Sequence, residues 1–187
     1  MLLKHEVAIG PLQLKPLALT QAPAFFTHIE QQRSLYEDTI PFVSRTHSLE
    51  QLTELLQTSL AKQQRGEALF YTLWHGQQMA GYLLVREIEP QARWAEIGYM
   101  LAREWHGKGI ITQACQWLIE QLFQQLEMDK IVICCNDDNH GSIAVAKRLG
   151  FTLEGTLRQH FVVNGVRRNM CSYGLLRQEW QQACSTD

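Results

Sequence analysis

The sequence predicts an α+β fold built round a mostly antiparallel sheet, and three observations carry that expectation. Between Glu67 and Leu101 apolar residues recur at every second position, with turn signals at His75–Gln78 and Glu89–Ala92, so three consecutive antiparallel strands are expected. Before and after that block the apolar period lengthens to that of amphipathic helices. Towards the C-terminal end, Asn164-Gly165 between two alternating runs marks a tight hairpin.

Taken in chain order, Leu12–Leu17 alternates as a strand does. Thr20 then offers a helix N-cap, with Pro23 in the first turn and Phe25, Phe26 and Ile29 on one face. Ser34–His47 reads as a polar connection or distorted helix that still holds Tyr36, Pro41 and Phe42; long connections carrying aromatic residues often touch ligands, which makes Tyr36 and Phe42 the substrate-contact candidates, against packing as the commoner reason for such residues. Ser48 and Gln51 stand in capping-box spacing ahead of Leu52, Leu55, Leu56 and Leu60 at helical period, and Gly66 follows the end. The three strands come next, then a Gly-Lys-Gly loop and a helix with Ile111, Ala114, Cys115, Leu118, Leu122 and Leu126 in line. Lys130–Cys135 is a buried strand, Asn139–Arg148 a short helix ended by Gly150, and His160–Leu176 the hairpin.

A chain of 187 residues with 45% apolar content suits one domain, 1–187, with one substantial core. Its 17 basic against 19 acidic residues give a formal charge of −2 without a long block of either sign, which makes nucleic acid and membrane surfaces poor partners. The longest apolar runs fall far below the ~20 residues of a membrane-spanning helix, and the opening segment carries Glu6 and prolines where a signal peptide needs an apolar core, so a cytoplasmic location is expected. Cys115, Cys134, Cys135, Cys171 and Cys184 are odd in number and lack C-x-x-C spacing, which argues against a disulfide framework or a zinc site. The seven histidines form no H-x-x-x-H pair, so no metal is expected.

Gly107 and Gly109, two glycines in three residues at the mouth of a helix, cost local stability. What they permit is an anion site: free backbone N–H groups of the loop and first helical turn point outward at the positive end of the helix dipole, no Cβ obstructs approach, and Lys108 and Arg103 can add charge at the rim. A diphosphate fits better than a carboxylate. A Walker loop is ruled out because Gly109, not Ser or Thr, follows Lys108; the dinucleotide fingerprint is ruled out because its third glycine is replaced by Thr112. A tight turn without ligand is the plain alternative for an isolated G-x-G.

The order of elements singles out one arrangement. A meander ending in "AEIGYML", the "WHGKGI" loop, a helix, a strand, and an N-x-x-S segment closing on "LGF" together resemble the GNAT acetyltransferases, most nearly the ribosomal-protein N-acetyltransferases of the RimJ/RimL type. The resemblance covers nearly the whole chain. It implies a three-layer α/β/α arrangement, a mostly antiparallel mixed sheet with helices on both faces, and acetyl transfer from acetyl-CoA to a primary amine. The acceptor it implies is a protein N-terminal α-amine; a small amine such as a polyamine, an amino acid or an aminoglycoside is the enzymatic alternative, and a non-catalytic acyl-CoA sensor the alternative of another class. Self-association into a homodimer is left open.

By the same resemblance, His106, Gly107, Lys108, Gly109 and Ile110 surround the coenzyme A diphosphate, and the pantetheine arm pairs with the backbone near Met100 and Leu101 beside a bulge that Gly98 makes cheap. Asn139 matches the asparagine that touches the pantetheine, and Ser142 lies near the sulfur. Two departures stand out: Glu104 occupies a position where many members have glutamine or arginine, and Ala146 replaces a tyrosine that some members use as an acid. The chemistry needs a neutral amine and a stabilised thiolate. Glu96, on the face shared by Gly98 and Met100, is the candidate base, against a structural ion pair as its plain reading. Ser142 is the candidate donor to the thiolate, against a helix cap. Cys134 and Cys135 invite an acyl-enzyme route, but no histidine is placed to activate either thiol, so direct transfer in a ternary complex is expected. Trp94, Trp105 and Trp117 read as core or cofactor-shelf residues, and Glu37 and Asp38 give the acceptor loop a modest acidic bias.

Overall fold

The computed structural model describes residues 6–163 and 165–185; Asn164 of the expected hairpin turn and the side chain of Cys184 lie outside them. Among the described residues eight strands form one sheet in the order β1-β2-β3-β4-β5-β6-β8-β7. Strands β1 (Val7–Ile9), β2 (Leu12–Pro16), β3 (Leu69–His75), β4 (Gln78–Glu89) and β5 (Trp94–Leu101) run as an antiparallel half. Strands β6 (Lys130–Asn136), β8 (Val166–Leu176) and β7 (Thr152–Val163) form the other half, also antiparallel. The halves meet at a parallel contact between β5 and β6. This is the mixed, mostly antiparallel sheet expected from the sequence.

Helices α1 (Ala22–Tyr36) and α2 (Leu49–Gln64) cover one face, where Phe25, Ile29, Leu52 and Leu56 pack on Phe70, Tyr82, Leu84 and Met100. Helices α3 (Ile110–Gln124) and α4 (His140–Arg148) cover the other, where Ala114, Leu118, Leu122 and Ala146 meet Leu83, Ile97, Ile131 and Tyr173. Helix α5 (Arg177–Cys184) continues that second layer by stacking Trp180 on Phe123, ring centroids 5.3 Å apart. The split follows from strand alternation: Ile97 and Leu101 serve one core, while Met100 serves the other. Trp117 closes edge-on against Tyr71 and is core.

Several boundaries differ from the sequence expectation for identifiable reasons. Helix α1 is capped by Gln21, not Thr20, because Leu19–Gln21 forms a 3₁₀ turn ahead of it. It also runs on to Tyr36, which moves Ser34 to Tyr36 out of the expected loop. Ser48 caps α2 by accepting the Gln51 N–H at 3.3 Å, while the Gln51 side chain accepts from His47 N–H at 2.8 Å. The bulge falls on β4, between Val85 and Glu87, not on β5. Gly98 pairs regularly with Leu84 and is not part of it. The glycine that close approach does require is Gly81, where a Cβ would stand 2.4 Å from the Met100 carbonyl oxygen.

Candidate active site

Strands β5 and β6 pair only from Trp94 to Ile97 and from Lys130 to Ile133. Beyond that they part, β5 staying with β4 as far as Leu101 and β6 staying with β8 as far as Asn136. A wedge therefore opens in the middle of the sheet, with Gly98–Leu101 on one wall and Cys134–Asn136 on the other. An unpaired strand edge offers backbone donors and acceptors to an extended ligand as a missing strand would.

At the open end of the wedge lies the glycine loop. Gly107 and Gly109 both have φ of 72°, the left-handed region where a Cβ is penalised. Gly109 is the N-cap of α3 and supplies no side-chain cap; the first helical bond runs from Gln113 N–H to the Gly109 carbonyl, 3.0 Å. Among the described residues no backbone carbonyl takes the N–H groups of Gly107 to Thr112, and a Cβ at Gly107 would project into open space. A cradle of free amides at the positive end of a 15-residue helix suits a diphosphate.

Three of the residues assigned to this loop act differently from expectation. The His106 N–H is already bonded to the Arg103 carbonyl at 3.1 Å, so the run of free amides starts at Gly107. Its ring instead donates Nε2–H to the Leu101 carbonyl at 2.9 Å and ties the loop to the end of β5. Lys108 lays its ammonium over the Trp105 ring, 4.7 Å from the centroid, and neither Lys108 nor Arg103 lines the cavity. The rim charge comes from a residue that the sequence reading missed: Arg148, in the last turn of α4, lines the cavity and donates to Thr112 Oγ1 at 3.2 Å. Glu104 points away and accepts from Gln32 at 3.2 Å.

On the α4 side, Asn139 is itself the N-cap, its Oδ1 accepting the Ser142 N–H at 3.0 Å. Ser142 is therefore not the cap; it is half-buried and lines the cavity. The Tyr99 hydroxyl donates to the Ser142 carbonyl at 3.4 Å, and burial pushes that phenol well above its ordinary range. Ala146, where some GNAT members have tyrosine, is fully buried.

Glu96 sits on the α1–α2 face of β5, its side chain 17% exposed, in an ion pair with Arg86 Nε at 3.1 Å. Burial raises its pKa above the ordinary carboxylate value, Arg86 pulls it back down, and Glu87 pushes it up. The ion pair and the cavity position coexist: Arg86 and Glu96 both line the wall. Cys134 shares that wall, but burial, with Glu96 nearby, pushes its thiol up to about 11; Cys135, on the opposite face, reaches about 12. Thiols held that high are protonated at neutral pH and are poor nucleophiles.

Tyr36 and Phe42 both line the cavity, although Tyr36 is only 3% exposed. The Met79 carbonyl can only accept, so the Nδ1 of buried His28, 3.0 Å away, must be the donor; Nε2 then accepts the Tyr36 hydroxyl at 3.1 Å. Burial lowers the His28 pKa, consistent with a neutral ring in that arrangement. Arg33 holds the connection after α1 by donating to the carbonyls of Val43 and Thr46, each at 2.7 Å. Phe42 meets Phe25 and Tyr82 edge-on.

These groups share one cavity of about 1650 Å³ that runs from the α1–α2 connection through the wedge to the glycine loop. That exceeds the roughly 300–1,000 Å³ of an ordinary small-molecule pocket and is room for two substrates. Thirteen positions are expected from sequence to touch the coenzyme or acceptor or to act in the chemistry, and the cavity brings together all of these except Arg103 and Lys108. Arg86 was legible as a partner of Glu96 only once the bulge in β4 had set the register. Trp105 lines the cavity as a shelf. Among the described residues no cluster of His, Cys, Asp or Glu could hold a metal, and no helix is long and apolar enough to cross a membrane.

Residues 12–152 match the acetyltransferase (GNAT) domain family. The chain is 32% identical over 153 residues to the ribosomal-protein-serine acetyltransferase of Escherichia coli (strain K12), covering 82% of this chain and 86% of that protein. It is 41% identical over 103 residues to the provisionally named ribosomal N-acetyltransferase YdaF of Bacillus subtilis (strain 168), a match spanning 55% of this chain and little more than half, 56%, of that protein. Among solved structures, the RimL ribosomal L7/L12 alpha-N-protein acetyltransferase in complex with coenzyme A superposes with a TM-score of 0.87 at 28% identity, over 92% of this chain and 98% of that one.

Proposed function

The chain belongs to the acetyltransferase (GNAT) family, and on that footing we propose that it is an acetyl-CoA-dependent N-acetyltransferase whose acceptor is the N-terminal α-amine of a protein, in the manner of ribosomal-protein acetyltransferases. The single observation that carries the reading is the wedge between β5 and β6 ending on free amides from Gly107 onward, a shape that matches an extended arm with a diphosphate at its end. Bound acetyl-CoA supplies an acetyl group activated as a thioester. The chain's own residues do the rest, over a single domain.

In this reading the amides of Gly107 to Ile110 and the Arg148 guanidinium hold the diphosphate, and the β5 edge from Gly98 to Leu101 orients the arm. The amine lone pair forms the new C–N bond while the C–S bond breaks. Glu96, directly or through a water, takes the proton that the amine must lose, and Ser142 donates a hydrogen bond to the departing thiolate. An α-amine, with a free pKa of roughly 8, needs only modest help from a carboxylate; a lysine amine near ~10.4 needs far more. The high thiols of Cys134 and Cys135 favour direct attack over an acyl-enzyme. A ribosomal-protein acceptor fits a cytoplasmic enzyme.

Thiol release from acetyl-CoA, followed across a panel of peptides, polyamines, amino acids and aminoglycosides, tests the proposal. Peptides acetylated at their N-terminus, located by fragment mass spectrometry, are the expected product. Turnover confined to small amines would overturn the acceptor assignment, and tight coenzyme binding with no turnover would leave a sensor.

A further inference from the structure

Helix α2 does more than cover the sheet. Gln51, Leu55, Thr58, Ser59 and Lys62, one stripe at helical spacing, all face the cavity. The eleven steps from Gln51 to Lys62, at about 1.5 Å of rise each, make that wall about 16 Å long, the length of roughly five extended residues. Opposite it, Tyr82, Leu84 and Arg86 alternate along β4. The result is a groove, continuous with the reacting end, that a short amine could not fill.

The charge of this groove is one-sided. Its walls carry Arg45, Lys62 and Arg86 against Glu96, which is paired with Arg86; Asp138 also lines the cavity but is bound to Arg168. Arg45 and Lys62 are exposed and, among the described residues, neither makes an ion pair within 4 Å; Glu67, which attracts Lys62 from further off, is itself bound to Arg65. Arg33 anchors the segment bearing Arg45 through the Val43 and Thr46 carbonyls, so that wall is fixed. Glu37 and Asp38, from which an acidic bias was expected, do not line the cavity. A polycation would meet repulsion from Arg45 and Lys62 here, whereas a chain with an amine at one end and carboxylates further along would find a partner for each.

We propose that this groove selects N-terminal segments carrying acidic side chains within about five residues of the reacting amine, with Lys62 and Arg45 as specificity-determining residues. The inference rests on the amine-acetylating reading above and names the sequence character of its substrate.

The test uses three peptides identical except for two glutamates, two alanines or two lysines at positions three to five. For each, kcat/KM is measured at low ionic strength, and binding to the protein saturated with coenzyme A is measured by fluorescence anisotropy. The glutamate peptide is expected to exceed the lysine peptide about tenfold in both readouts, and the ratio to invert in the exposed double variant R45E/K62E. It should shrink as salt shortens the screening length to about 8 Å at physiological ionic strength. Equal binding and rates across the set, an unchanged ratio in the double variant, or preference for the lysine peptide or spermine would overturn the proposal. Charge-selective binding with no turnover would uphold the groove while refuting the enzymatic reading, so the two fail separately.

Discussion

Replacing the loop glycines by alanine perturbs the account at its most quantitative point. Both have φ of 72°, and neither added Cβ would clash: at Gly107 nothing lies within 4 Å, and at Gly109 the nearest atom is the Gln113 amide nitrogen at 3.7 Å. The cost is therefore conformational, about 1–2 kcal/mol for holding an L-residue in the left-handed region. If the free loop relaxes to escape that strain, coenzyme binding must restore it, and Kd rises about 5- to 30-fold per substitution. A Cβ at residue 107 also enters the space beside the amides that the diphosphate oxygens need. Titration calorimetry with coenzyme A reads Kd, and thermal unfolding of the free protein reads any strain that stays in the fold. Pantetheine, which lacks the diphosphate, is the control, and its affinity should fall less. A G107A/G109A protein that bound coenzyme A within twofold of the parent would refute the reasoning.

Other expected outcomes probe the acceptor side and the fold. Glu96→Gln should lower kcat/KM by about 10²-fold for a lysine amine and by clearly less for an α-amine, and should abolish the fall in activity as pH drops through the raised carboxylate pKa; equal, unchanged rates for both amines would remove Glu96 from the mechanism. Cys134→Ala should keep most of the turnover, since a thiol at about 11 is a thiolate only about once in 10⁴ molecules at pH 7, and loss of acetyl transfer with normal coenzyme affinity would argue for a covalent route. Burial lowers the His28 pKa below 6.5, so the unfolded chain binds the proton more readily and stability is lost as pH falls from 6.5 towards the folded value. Urea unfolding at stepped pH should show His28→Gln with a shallower acid dependence by up to about 1.4 kcal/mol per pH unit, and parallel curves would mean that His28 is already charged in the fold.

What the letters disclosed was set by local rules. The cap at Ser48, the three strands of the period-two block from Glu67 to Leu101 and the glycines of the loop each depend on near neighbours, and each stands where the spacing put it. Strand β1 and helix α5 were not legible, since a three-residue strand has no period to read and the Arg177–Cys184 segment is mostly polar. Partners fixed by register or tertiary packing were also hidden. Arg86 meets Glu96 only because β4 bulges, Arg148 reaches Thr112 only because α4 packs beside α3, and Lys108 is drawn away by the Trp105 ring. The cationic groove was invisible because its charges come from three separate elements.

Where the coenzyme lies decides the proposed function, so a crystal structure of the chain with coenzyme A is the most direct measurement. The expected result is a diphosphate within hydrogen-bond distance of the N–H groups of Gly107 to Ile110, with the arm lying between Gly98–Leu101 and Cys134–Asn136 and the sulfur directed towards Ser142. A diphosphate bound away from these amides, or an arm lying outside the wedge, would contradict it.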